Sequence, residues 1–239
     1  MAEFPFESLS AALTEDQPCG PDLDMEGDAE YLNFSARIEG LLPASFFDFD
    51  RGSVDFPAET ATIASISKKS IDLRVLVPFA KLLILNRDFR GFQQCMTAIA
   101  GVVEQRWEHV HPQPMDGDHF LRAISLQTLD DLPHTVFPLQ SAPLFRTRRF
   151  GTVSFRQYLL AEGAIPPRKA HDDGGENEKV PSLADLRGAI ADVEMTELVA
   201  ARDIAAALLA AIRALETLYD TLAGQPGVLR FSRLMPGAE

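Results

Sequence analysis

The sequence predicts an all-α protein: an irregular multi-helix domain, then a linker and a helical hairpin. Three observations carry this. Apolar residues recur at spacings of three and four along most of the 239 residues, the period of a helix with one buried face. Prolines gather between those stretches, with Pro78 the exception. Only the short run Thr152, Val153, Ser154, Phe155 reads as strand.

In chain order, residues 7–13 make one or two turns before the breaker Pro18, Cys19, Gly20, Pro21. Residues 28–42 place Tyr31, Leu32, Phe34, Ile38, Leu41 and Leu42 on a helix with an acidic first turn. Residues 43–57 hold Phe46, Phe47, Phe49 and Phe56 among Asp, Ser and Gly, an ordered loop pinned by aromatics. A helix over 58–70 follows. Asp72 then caps residues 73–86, apolar nearly all round and therefore central. Pro78 within that run should kink it or mark its true first turn. Residues 89–111 align Phe92, Met96, Ile99, Val102, Val103, Trp107 and Val110 on one face, and Pro112 and Pro114 end them. Residues 118–129 form another helix, 133–151 are Pro-rich and extended, and Ser154 caps a helix over 155–162.

Residues 163–181 carry prolines, glycines and mixed charge with almost nothing to bury, so they read as a linker. This divides the chain into a domain over 1–163, a linker over 164–181 and a hairpin over 182–239 that starts a second domain. Ser182 with Asp185 opens a helix over 183–193. The longest helix, 194–223, carries a heptad-like seam of Leu198, Ala201, Ala205, Leu208, Ile212, Leu215, Tyr219 and Leu222, and Gly224 ends it. The residues after it are too few to build more. The helix over 183–193 reaches less than half of the seam. A second copy of the chain is therefore expected to cover Leu208, Ile212, Leu215 and Tyr219, giving a homo-oligomer through the C-terminal helices.

The 22 Lys and Arg against 35 Asp and Glu leave a net charge of −13, which argues against nucleic acid or anionic lipid as partner. That charge is uneven: −12 over residues 1–60, +5 over 61–170 and −6 over 171–239. The basic middle either complements the acidic ends within the chain or docks an acidic partner. No window is long and apolar enough to insert in a membrane, and the first residues do not form a signal peptide. Cys19 and Cys95 make no disulfide framework, which suits the cytoplasm.

The sharpest metal candidate is His109, His111 and His119 with Asp116 or Asp118. Residues two apart on a helix diverge by about 200°, however, and no HExxH or CxxC spacing supports a site. Cys19 has no adjacent base, Cys95 falls on an apolar face, and no phosphate-binding glycine loop occurs. The acidic run Asp22, Asp24, Glu26, Asp28, Glu30 reads as a solvated face. Arg146, Arg148 and Arg149 suit a phosphate, a carboxylate or a partner surface, although loop arginines more often pair with nearby acids. No catalytic, cofactor or metal residue is assigned. The rival reading is a small-ligand or metal-dependent enzyme on a helical scaffold, using His109, His111 and His119.

Three patches, in order, resemble the ImpA N-terminal domain found in TssA-type proteins of the bacterial type VI secretion system. Residues 16–23 (D-Q-P-C-G-P-D-L) are similar to the family's opening P-C-G-x-D-L and its acidic, aromatic-containing helix. Residues 71–75 (I-D-L-R-V) and 107–112 (W-E-H-V-H-P) are similar to its D-L-R-V and W…HP helices. Residues 142–163 are similar to its A-P-L-x-R-S-R-x-G-x-x-S-x-R-D segment. The likeness runs over about residues 5–163. Two departures stand out: residues 58–70 lack the family's Trp, and the chain ends soon after residue 222, without the domain that long TssA proteins use to build rings. The resemblance implies a cytoplasmic, helical, non-enzymatic assembly component. It would need no cofactor and would work by contacts with baseplate, sheath, tube or membrane-complex proteins.

Overall fold

Aspartates start the first five α-helices, and part of the acidic excess is spent there. Asp22 opens the single turn α1 (Leu23–Glu26), Asp28 opens α2 (Ala29–Leu41), and Asp55 opens α3 (Phe56–Ser67). Asp72 opens α4 (Leu73–Leu85) and Asp88 opens α5 (Phe89–Arg106). Each carboxylate accepts a backbone N–H of the first turn, which would otherwise lack a partner. Next come α6 (Phe120–Gln127), a π-helical turn (Leu132–Val136), α7 (Phe137–Ser141), β1 (Pro143–Thr147), β2 (Gly151–Ser154) and α8 (Phe155–Ala161). The last helices are α9 (Leu183–Ala191) and α10 (Met195–Leu222). This computed structural model describes residues 4–148, 151–168 and 178–235. The chain is mostly helical with one small antiparallel hairpin, in which Phe145 lies opposite Val153.

One stretch differs from expectation for a stereochemical reason. The segment 133–151 is not extended throughout: Pro133 and Pro138 sit in the first turns of helical segments. There a missing N–H costs nothing, so proline favours a helix start. Conversely, α4 runs past Pro78 to Leu85 without ending.

α4 is the centre. Nearly all its residues are buried, and it touches α3, α5, α6 and α7. α5 packs against both α4 and α10. The four α10 residues expected to pair with a second copy are therefore covered within the chain, while Ala205 and Leu222 of the seam stay exposed: Leu208, Ile212, Leu215 and Tyr219 are 5, 3, 0 and 0% exposed in the same core as Phe92 and Ile99. This corrects the expectation that a second copy covers them. An 18-residue α5, about 27 Å long, supplies the surface that α9 lacks. Instead of closing a hairpin on α10, α9 packs on α8, with Leu186 and Ala189 against Val153. The closing residues also build more than expected. Leu229 and Phe231 are fully buried, Gln127 bonds the backbone of Arg230 on both sides, and Asp130 accepts the N–H groups of Arg233 and Leu234. The core is thus continuous from Phe4 to Phe231.

Leu215→Glu should consequently unfold the chain rather than dissociate an oligomer. A loss of at least about 3 kcal/mol is expected in denaturant titration, because an unpaired carboxylate would replace a core side chain. Unchanged stability together with a smaller particle would restore the self-association reading. Among the described residues, no helix is long and apolar enough to cross a membrane.

Candidate functional site

The first two motif patches meet at one place. Gly20 has φ +71°, and a Cβ added there would run into the Lys69 carbonyl, so only glycine fits this turn. Cys19 O accepts the N–H of Ile71, Ile71 O accepts that of His111, and His111 O accepts that of Leu73. These bonds lace residues 19–20, 71–73 and 111 side by side. Arg74 then gathers the carboxylates. Its guanidinium forks onto Asp72, reaches Asp22 at 2.6 Å and Asp24 at 3.2 Å, and lies 5.4 Å from the centre of the Tyr31 ring. Burial raises the Asp22 carboxyl, but the hydrogen bond and charge of Arg74 outweigh it and hold the group below the usual range. Lys69 similarly binds Asp28 at 2.7 Å and Glu30 at 3.0 Å. The acidic run is therefore not a solvated face: four of its five acids bind cations from the basic middle of the chain. Burial pushes the Cys19 thiol up to about 11, which disqualifies it as a thiolate nucleophile at neutral pH.

A second lock joins α6 to the end of α5. Arg122 is fully buried, and its guanidinium donates to the carbonyls of Trp107 (2.6 Å), Val110 (2.7 Å) and Pro112 (2.8 Å) while covering the Trp107 ring at 4.6 Å. Tyr219 of α10 meets that ring edge-on at 5.8 Å. Sequence reasoning missed Arg122, because one arginine on an amphipathic helix looks like any solvated one.

The histidines do not converge. His109 is exposed, His111 is buried with Nε2 3.0 Å from Gly20 O, and His119 lies against Trp107, its ring 4.7 Å away. Among the described residues, no group of three His, Cys, Asp or Glu side chains is placed to hold a metal ion. The rival enzyme reading loses its site.

The third patch folds as β1, β2 and α8. Arg146 and Arg148 are exposed on the hairpin, and Arg149 lies outside the described residues. Ser154 and Gln157 form a capping box that starts α8 and turns Arg156 inward. Beside it a cleft of about 380 Å3 opens, lined by Phe46, Phe47, Arg51, Arg87, Arg156, Arg168 and Glu178 among others. Glu178 takes both its oxygens to Arg156, each at 2.7 Å, and Arg168 lies over the Phe47 ring at 4.0 Å. The aromatic-pinned loop was the one sequence signal pointing here.

Comparison with known proteins follows this geometry closely. Residues 10–131 match the family described as ImpA, N-terminal, type VI secretion system, a span that holds the first two patches but not the hairpin. The type VI secretion system component TssA1 of Pseudomonas aeruginosa is 28% identical over 162 residues, covering 65% of this chain and 46% of that protein. The match thus spans about half the length of that relative. A solved structure, the N-terminal domain including the conserved ImpA_N region of the TssA component from Burkholderia cenocepacia, is similar with a TM-score of 0.69. It covers 98% of this chain and 89% of its own length at 19% identity, which shows a shared fold. With the matched residues holding both the Arg74 junction and the Arg122 lock, the chain belongs to the ImpA N-terminal family of the type VI secretion system.

Proposed function

We propose that this chain is a non-enzymatic assembly component of the type VI secretion apparatus, acting in the cytoplasm through contacts with its baseplate, sheath, tube or membrane-complex proteins. One observation carries the reading. The motif side chains that would be suspected of chemistry are spent inside the fold: Asp22, Asp72 and Arg74 on one another, Arg122 on backbone carbonyls, His111 on Gly20. What faces outward is the hairpin, with Arg146 and Arg148 exposed on a chain of net charge −13. Local positive charge against a negative background favours an acidic protein surface and steers its approach. The relative TssA1 carries the same system in its name, which supports the assignment.

Affinity capture of the full chain from its native bacterium tests this. Type VI secretion proteins are expected above an untagged control. Their absence, or stoichiometric zinc, iron or manganese in protein purified without a His tag, would overturn the proposal.

A further inference from the structure

We propose that the cleft between Phe47 and Arg156 is a recognition site for an acidic segment of a partner protein, with Glu178 occupying it as the chain's own substitute ligand. The cleft is a second surface, separate from Arg146 and Arg148. It stands whether or not the partner belongs to the secretion apparatus.

Arg156 sets the chemistry. Its side chain is only 10% exposed, and its fork grips both Glu178 oxygens in the two-point geometry that suits a carboxylate or a phosphate. The grip is held ready by aromatics: Arg156 lies 5.2 Å and Arg168 4.0 Å from the Phe47 ring centre, and Phe47 is wedged between Phe46 and Phe137. The ligand in place is also read as a peptide. Arg168 N–H donates to Glu178 Oε2 at 2.9 Å, while Glu178 N–H donates to Arg168 O at 3.1 Å. A free phosphate offers no N–H for that second bond.

One glutamate does not satisfy the site. Among the described residues, four lining arginines, Arg51, Arg87, Arg156 and Arg168, face a single lining acid. Arg51 is spent on the Asn86 side chain and carbonyl, not on a carboxylate. Arg87, in the left-handed position after α4 (φ 61°) where glycine usually stands, also lines the cleft. Ser141, Thr152 and Ser154 line the remaining space. A volume of about 380 Å3 admits more than one acidic side chain. Residues 178–181 form no helix or strand, so an external chain with several acids can replace Glu178.

The test is fluorescence anisotropy with a labelled hexaglutamate peptide on the full chain, using hexaglutamine as control. Glu178→Gln removes the internal competitor and is expected to tighten hexaglutamate binding by at least about tenfold over wild type. Adding Arg156→Gln or Arg168→Gln should return it to the wild-type level. Arg168 is half exposed, so its substitution keeps the test valid where the Arg156 variant fails to fold. Excess inorganic phosphate should leave binding unchanged. No gain in Glu178→Gln, a gain that survives Arg168→Gln, equal binding of hexaglutamine, or displacement by phosphate would each overturn the proposal.

Discussion

Arg74→Ala is expected to cost about 3–5 kcal/mol at neutral pH, because it strands the Asp72 carboxylate at 1% side-chain exposure without its cation. The cost should depend on pH with a definite sign. In the folded wild type the Asp22 carboxyl sits below its ordinary value: burial pushes it up, and Arg74 pulls it down further. Such a group contributes stability above its unfolded pKa and loses it as pH falls through its folded one. Without Arg74 the upward push of burial is opposed only by His111 and the Asp24 N–H. The gap between wild type and variant should therefore narrow below about pH 4. Urea titration at neutral and acid pH reads this directly, and a gap constant across that range would contradict the assignment of Arg74 to Asp22.

Arg122→Met should be at least as damaging, although it removes a charge instead of stranding one. The carbonyls of Trp107 and Pro112 lose the Arg122 donor in a region closed to water, and that of Val110 keeps only the long bond from Gln113 at 3.3 Å. Each orphaned buried acceptor costs about 1–3 kcal/mol, so a drop on the order of 10 °C in melting temperature is expected for a chain of this size. Arg122→Lys should recover only part of it, since an ammonium on a flexible stem cannot match the planar fork. A melting temperature for Arg122→Met close to wild type would show that water reaches those carbonyls.

Local signals were legible in the sequence and long-range ones were not, for reasons particular residues show. Asp28, Asp72, Ser154 and Ser182 announce helix starts because a cap is a matter of three or four neighbouring residues. The α10 seam was equally legible as a buried face. Periodicity says which face is buried but not what buries it, so α5 could not be told from a second copy. Pro133 and Pro138 misled because proline suits an extended chain and a first helical turn alike. Leu229 and Phe231 sit among Gly, Arg and Ser with no period to flag them, yet both are fully buried. Of the site residues, Arg146 and Arg148 were visible as a cluster, whereas the Phe47, Arg156 and Glu178 cleft assembles from three distant segments and leaves no trace in spacing.

The exposed hairpin carries the functional claim, and reversing its charge tests that claim most directly. Arg146→Glu with Arg148→Glu, placed in the native bacterium, should abolish capture of the secretion proteins that the unaltered chain retains. Both residues are exposed, so the stability of the purified double variant should stay within about 0.5 kcal/mol of the unaltered chain. Undiminished capture by a folded double variant would contradict docking through the hairpin.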